Sequence, residues 1–320
     1  MIVPRRLSKI FTQSTRTFTI VNRIQEKISS FLSSEVIEKP KPPKLIDIIG
    51  TLKNINYRYD YPQNLTKEQK EHMKRFDVFR YDPMSSADPP HFVSYYIDLD
   101  ECGPMFLDAL IKIKDEIDST LTFRRSCREG ICGSCSMNID GRHNLACIAA
   151  IPKNNLEKSF IAPLTSMNVL RDLVVDMSNF YNQYKVIQPH LKRKTLKQPN
   201  EKEYHQSIEE RAKIDGLYEC VLCLSCSSSC PSYWWHSNEY LGPAILQQAF
   251  RWVIDSRDEY KEERLEMLGG DMKLDECFQV GVCSLACPKG LDPRKSTEEL
   301  QALYKEYERK KARGERTIQI

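Results

Sequence analysis

The chain has 320 residues, 41% of them apolar and 28% charged, with a formal net charge of +3. This is the composition of a folded globular protein long enough for two domains, and so small a net charge gives no reason to invoke nucleic acid or an anionic membrane surface. No apolar run reaches the roughly 18 residues of a spanning helix, so any tie to a membrane runs through a partner.

The first 25 residues carry Arg5, Arg6, Lys9, Arg16 and Arg23 among the hydroxyls of Ser8, Thr12, Ser14, Thr15, Thr17 and Thr19, and the first acid is Glu26. Leu7, Ile10, Phe11, Phe18 and Val21 fall roughly on one helical face. Arg-rich, Ser-rich, acid-poor and amphipathic is the pattern of an organelle transit peptide, against the plainer reading of a basic tail. Residues 26–74 form an unusual extension. The Pro/Lys stretch from Glu38 to Lys44 is expected to be extended, while Ile46 to Asn54 and Tyr57 to Tyr61 are less polar and suited to docking.

From Arg75 the pattern tightens. Phe76 to Arg80 and Phe92 to Ile97 read as neighbouring strands. Gly103-Pro104 opens a helix with Phe106, Leu110, Ile113 and Ile117 at helical spacing. Asp140-Gly141 reads as a hairpin turn between Ser136–Ile139 and Leu145–Ile148. Together these describe a small α+β domain over 75–172. Val169 to Tyr184 reads as a helix with a broad apolar stripe, and 185–205, polar with Pro189 and Pro199, as a linker. Strand signals then vanish. Helices over Pro243–Asp255 and Thr297–Arg313 make 173–320 a mostly helical second domain, and the charge run Lys305–Arg316 reads as a solvated face.

The 12 cysteines are crowded into short runs, which favours shared metal over disulfides. Cys127-x4-Cys132-x2-Cys135, followed after eleven intervening residues by Cys147, has the plant-type spacing that holds a [2Fe–2S] cluster. Gly130 and Gly133 supply the positive φ the wrap needs, and Arg125 and Arg128 flank Cys127. Structural zinc prefers matched C-x2-C pairs and fits this spacing poorly.

Cys220-x2-Cys223-x2-Cys226-x3-Cys230-Pro231 is the bacterial ferredoxin run, whose fourth cysteine serves the other cluster of a pair. The second copy is Cys277-x2-Val280-x2-Cys283-x3-Cys287-Pro288, in the same register with Val280 at one ligand position. The exchange rule assigns Cys220, Cys223, Cys226 and Cys287 to a [4Fe–4S] cluster. It leaves Cys230, Cys277 and Cys283 for a cluster whose fourth corner faces valine, which favours [3Fe–4S] over a [4Fe–4S] with a non-protein ligand. Cys102 remains as a small packing residue. Three clusters in series describe a one-electron conduit. The chain has no Gly-rich dinucleotide fingerprint, so the donor's cofactor and the substrate chemistry lie in a partner.

Arg124-Arg-Ser-Cys-Arg-Glu-Gly-Ile-Cys-Gly-Ser-Cys135, Leu145-Ala-Cys147 and Arg171-Asp-Leu-Val-Val-Asp-Met177 resemble the [2Fe–2S] segment of the succinate dehydrogenase (complex II) iron–sulfur subunits. Cys220 to Trp235 and Cys287-Pro-Lys-Gly-Leu-Asp-Pro293 are similar to that family's second and third motifs, so the likeness runs from about Arg75 to about Lys295. It implies an α+β, plant-type ferredoxin (β-grasp-like) domain followed by an all-α, bacterial-ferredoxin-like two-cluster domain. It implies a flavoprotein subunit whose FAD oxidises succinate, with electrons passing through [2Fe–2S], [4Fe–4S] and [3Fe–4S] to ubiquinone held by membrane-anchor subunits, often with a haem b nearby. The location implied is the mitochondrial inner membrane, peripheral on the matrix side. The quinone pocket is implied to include Pro231, Ser232, Trp234 and Trp235, with the Trp235 indole the favoured donor and core packing its plainer role. One departure stands out: Phe278 follows Cys277 where the family usually has His. The competing readings are a quinol:fumarate reductase subunit, a stand-alone ferredoxin and a structural zinc protein.

Overall fold

The computed structural model describes residues 58–59, 72–85, 89–152, 157–195, 197, 200, 202–270 and 273–315. The expected transit segment and most of the extension lie outside the described residues.

The N-terminal half is a mixed six-stranded sheet. Its strands are β1 (Arg58–Tyr59), β2 (Met73–Arg80), β3 (His91–Asp98), β4 (Ser136–Ile139), β5 (Arg142–Leu145) and β6 (Ser159–Ala162), in the spatial order β1-β3-β2-β6-β4-β5. The expected strand pair exists: β2 and β3 are antiparallel with Phe76 opposite Tyr95. Strand β1 adds in parallel to the outer edge of β3, so part of the N-terminal extension does dock, on the sheet. Both faces of β2 are covered. Phe76 meets Phe106 edge-on at 5.9 Å, and on the other face Phe79 meets Phe92 at 5.7 Å. Asp77, fully buried, is held by Arg75 at 2.7 Å and by the Ser94 hydroxyl at 2.6 Å, so its charge is compensated where it sits.

Helix α1 (Phe106–Lys112) buries Phe106, Leu107, Ala109 and Leu110. It then widens into a π turn over Ile113–Ile117. The wider turn breaks the 3.6-residue period, so Ile113 is buried but Ile117 is 53% exposed, against its expected place in the stripe. The hairpin turn does fall at Asp140-Gly141, both at positive φ, but it joins β4 directly to Arg142–Leu145 rather than to Leu145–Ile148.

The helix expected over Val169–Tyr184 starts only at α2 (Ser178–Val186). Before it lies a small hairpin, β7 (Val169–Arg171) and β8 (Val174–Val175). Three β-branched valines disfavour helix there, and Asp172 turns the chain at φ 43°. The Asp172 carboxylate accepts from the Tyr81 and Thr122 backbone N–H groups and from Arg80, at 2.9–3.0 Å, and so ties the turn to the sheet. The supposed linker also differs. The Arg264 guanidinium donates to the carbonyls of Ile187, Gln188 and His190, and the Lys192 N–H donates to Asp258, so part of this segment is fastened along the helical half. Several of its polar residues stay exposed, so it is both solvated and tied down by these bonds.

The C-terminal half contains α3 (Ile208–Ala212), α4 (Ser225–Ser228), α5 (Pro231–His236), α6 (Gly242–Val253), α7 (Lys261–Leu268), α8 (Val282–Leu285) and α9 (Pro293–Ala312), with no strand among its described residues from 208 on. Helix α6 is buried almost all round and packs on α9. Helix α9 begins at Pro293, earlier than its apolar pattern suggests, because Asp292 caps it by accepting from the Lys295 N–H at 3.1 Å. Its later turns are largely solvent-facing, as the charge run suggested.

Candidate iron–sulfur cradles

The loop after α1 wraps around sulfur. Arg128, Gly130 and Gly133 all take positive φ, which turns successive backbone N–H groups inward. The Cys127 Sγ accepts from Glu129, Ile131 and Cys132 N–H groups at 3.3–3.5 Å, and the Cys132 Sγ from Cys127 and Ser134 at 3.4–3.5 Å. Donation from the Glu129 and Ile131 N–H groups pulls the Cys127 thiol down to about 6. That thiolate is therefore ready for metal at neutral pH. The β4–β5 hairpin returns Cys147 to the side of Cys135, where the Ala146 N–H donates to the Cys135 carbonyl at 3.0 Å. Burial pushes the Cys135 thiol up to about 12, and both Cys147 and Cys132 lie within its electrostatic reach. The four cysteines of the first run thus meet at one end of the sheet.

The two later runs repeat one backbone device. The second and fourth residues after the first cysteine are left-handed in both: Leu222 and Leu224 in one, Gln279 and Gly281 in the other. Each device opens a four-residue helix, α4 or α8, and the two helices touch. Crossing over at this contact, Cys220, Cys223, Cys226 and Cys287 line one apolar cavity with Leu224, Ala244 and Leu291. Cys230, Cys277 and Cys283 line a second, together with Val280, Tyr240 and Pro231. Burial raises the thiols of Cys220 and Cys283 to about 11, and it also raises those of Cys226 and Cys230 above the ordinary thiol range.

These cradles fit iron–sulfur clusters by donor chemistry: soft sulfur donors converge on apolar cavities, and bound metal supplies the charge that keeps a buried thiolate ionised. Among the described residues no three His, Cys, Asp or Glu gather as the site of a single ion. A cluster does not require that, because its cysteines bind different irons.

The three cradles are contiguous. A Cβ on Gly133, in the first loop, would lie 2.5 Å from the Val221 carbonyl oxygen and 3.1 Å from the Cys223 Cα. The Ser136 hydroxyl donates to the Cys223 carbonyl at 2.6 Å. Cys226 of the second cradle feels Cys283 of the third. His143 on β5 completes the contact, its Nδ1 2.6 Å from the Ser229 hydroxyl and 3.2 Å from the Ser225 carbonyl. Nothing in the pattern of β5 marked His143, or Gly133 as a point of contact between halves.

Burial holds the His143 imidazole down at about 4. The folded protein therefore favours the neutral ring, and the unfolded chain binds the extra proton below its own value near 6.5. This contribution to stability is present above about 6.5 and drains away as pH falls towards 4. A His143→Gln protein should lose less thermal stability than the parent across that window; matching losses would show that another group carries the acid sensitivity.

The residues expected around a quinone divide. Pro231 and Ser232 line the three-cysteine cavity. The half-buried Trp234 donates its indole N–H to the Ser228 carbonyl, so that donor is committed to the fold. Trp235, on the same short helix, is 71% exposed. Phe278, Val280 and Leu285 are exposed as well, and Phe278, Val280 and Arg294 stand on the wall of the three-cysteine cavity. His236 pairs with Glu276 at 3.3 Å and fastens α5 to the start of the third run.

Residues 75–182 match the family described as a 2Fe-2S iron-sulfur cluster binding domain, and residues 219–292 the family described as a 4Fe-4S dicluster domain. Among solved structures, the fold is similar to a chain of the Mycobacterium smegmatis Sdh1 complex in the apo form, with a TM-score of 0.65 and 22% identity, covering 73% of this chain and 96% of that one. A slighter likeness, at a TM-score of 0.43 and 15% identity, is to a hypothetical protein from Helicobacter pylori, covering 72% of this chain and 39% of that one; nothing rests on it. No described helix is long and apolar enough to cross a membrane. The chain is an iron–sulfur protein that carries a 2Fe–2S cluster binding domain followed by a 4Fe–4S dicluster domain.

Proposed function

We propose that the chain is the iron–sulfur subunit of a succinate:ubiquinone oxidoreductase. The observation that carries this reading is the unbroken line of cradles, in which the first loop touches the second cradle and the second touches the third. The four-cysteine cavity would hold [4Fe–4S] through Cys220, Cys223, Cys226 and Cys287. The three-cysteine cavity would hold [3Fe–4S] through Cys230, Cys277 and Cys283, and the loop [2Fe–2S] through Cys127, Cys132, Cys135 and Cys147. When bound, the clusters supply one-electron redox chemistry. The chain's own residues keep the cradles in contact, keep their walls apolar and aim N–H groups at sulfur.

The exposed Trp235, Phe278, Val280 and Leu285 at the third cradle support an interface with apolar partners, here membrane-anchor subunits and ubiquinone. In this reading Trp235 is the free indole donor for quinone, and Trp234 buttresses it. FAD belongs to a flavoprotein partner at the other end, any haem b to the anchors, and the place is the mitochondrial inner membrane, on the matrix side. The basic, hydroxyl-rich first 25 residues support that placement.

The test is low-temperature EPR on the complex in its membrane, oxidised and then reduced with succinate. A near-isotropic oxidised-state signal should vanish with succinate as a [2Fe–2S] signal appears. Iron signals indifferent to succinate would remove the succinate assignment, and zinc in place of iron and labile sulfide would remove the conduit. Val280→Cys should supply the missing thiolate and convert the third cluster towards [4Fe–4S], with a lower potential and loss of the oxidised-state signal. An unchanged signal in that variant would count against the ligand set.

A further inference from the structure

Tyr240 is completely buried, and its hydroxyl has no partner at full hydrogen-bond geometry in the described structure, only the nearby sulfurs of Cys277 and Cys230. An unsatisfied buried hydroxyl is costly and calls for an explanation. Its neighbour Tyr233, equally buried, has none of this trouble: the Tyr233 hydroxyl donates to Gln183 Oε1 at 3.1 Å. Tyr240 is also held firmly. Its N–H donates to the His236 carbonyl at 2.8 Å, and its own carbonyl accepts from Gln183 at 2.9 Å. The side chain lines the three-cysteine cavity beside Cys230, Cys277 and Cys283. The groups it senses there are those sulfurs, Cys277 and Cys230 foremost.

We propose that the Tyr240 hydroxyl donates its hydrogen bond to a sulfur of the cluster held in the three-cysteine cradle and thereby raises that cluster's reduction potential. The inference rests on the assignment of a three-iron cluster to this cavity. The lining also holds the side-chain oxygens of Ser232, Gln279 and Thr297, but the groups that act on the Tyr240 hydroxyl are the sulfurs of Cys277, Cys230 and Cys283. Those sulfurs carry more negative charge when the cluster is reduced, so a donor binds the reduced state more strongly. Low dielectric around the pair strengthens the effect. The last cluster of a chain delivering electrons to a quinone gains from such a donor, because a higher potential draws electrons forward from the cradle before it.

Tyr240→Phe removes the donor and keeps the ring. In the assembled complex, a redox titration followed by EPR should find the three-iron signal at its usual amplitude but titrating at lower potential. The oxidised-to-reduced ratio at a fixed poise should rise about tenfold, or about 59 mV for a one-electron couple. Tyr233→Phe should leave that potential alone. Proton ENDOR on the parent complex should detect an exchangeable proton coupled to the cluster, lost in Tyr240→Phe and in D2O. A parental potential in Tyr240→Phe, or no exchangeable proton in the parent, overturns the proposal while the cluster assignment stands. No three-iron signal in the parent overturns both.

Discussion

Replacing Cys287 by alanine is expected to abolish the cluster signal of the Cys220, Cys223 and Cys226 run, although Cys287 belongs to the other run by sequence. Cys287 lines the cavity of the first three, and Cys230 lines the cavity of Cys277 and Cys283. With Cys287 gone, one corner of the four-cysteine cradle loses its thiolate and the three-cysteine cradle keeps all of its own. Electrons from succinate should then reach the [2Fe–2S] cluster and stop. The [2Fe–2S] signal would appear on reduction while the oxidised-state signal of the third cluster persists in the presence of succinate, and quinone reduction would fall to background. Cys230→Ala should do the reverse, removing the third signal and sparing the second. If Cys287→Ala instead destroyed the third cluster and spared the second, the two runs would each hold their own cluster and the exchange would be wrong.

The grouping of Cys287 with Cys220, Cys223 and Cys226 around one cavity was readable because spacing is a local property and the two runs share a register. The strand pair β2–β3 was readable for a similar reason, since Phe76 and Val78 alternate with their neighbours over a whole strand. What escaped were features that depend on contacts distant in sequence. The apolar residues of 169–184 suit a helix stripe and a hairpin followed by a helix equally well, and the choice is made by Asp172 bonding back to Arg80, Tyr81 and Thr122. Ile117 satisfies a helical period that the π turn interrupts. The polar stretch after Val186 looked like a linker because its partners, Asp258 and Arg264, lie on another element. Tyr240 reads as an ordinary core tyrosine until the neighbouring hydroxyls are seen to differ in their partners. Gly133 was legible as a loop glycine for its φ, but its second constraint comes from a segment nearly ninety residues away, from Val221 to Cys223.

That second constraint has the larger consequence. Gly133→Ala meets two penalties, and they are separable. The residue sits at φ 71°, where a Cβ costs about 1–2 kcal/mol. The new methyl would also lie 2.5 Å from the Val221 carbonyl oxygen and 3.1 Å from the Cys223 Cα, both backbone atoms. These cannot rotate aside, because Leu222 and Leu224 on either side of Cys223 are themselves held in left-handed conformations. The two halves must therefore part, at a further cost of about 1–3 kcal/mol by the usual scale of overpacking. Gly141→Ala provides the comparison: it lies at φ 81°, and a Cβ there meets nothing within 4 Å. It should show the conformational penalty alone. Gly133→Ala should thus have the lower thermal midpoint, and in freeze-quenched samples electrons should reach the third cluster later than in Gly141→Ala, since the break falls between the first two cradles. Equal midpoints and equal arrival times would mean that the loop contact neither joins the halves nor lies on the electron path.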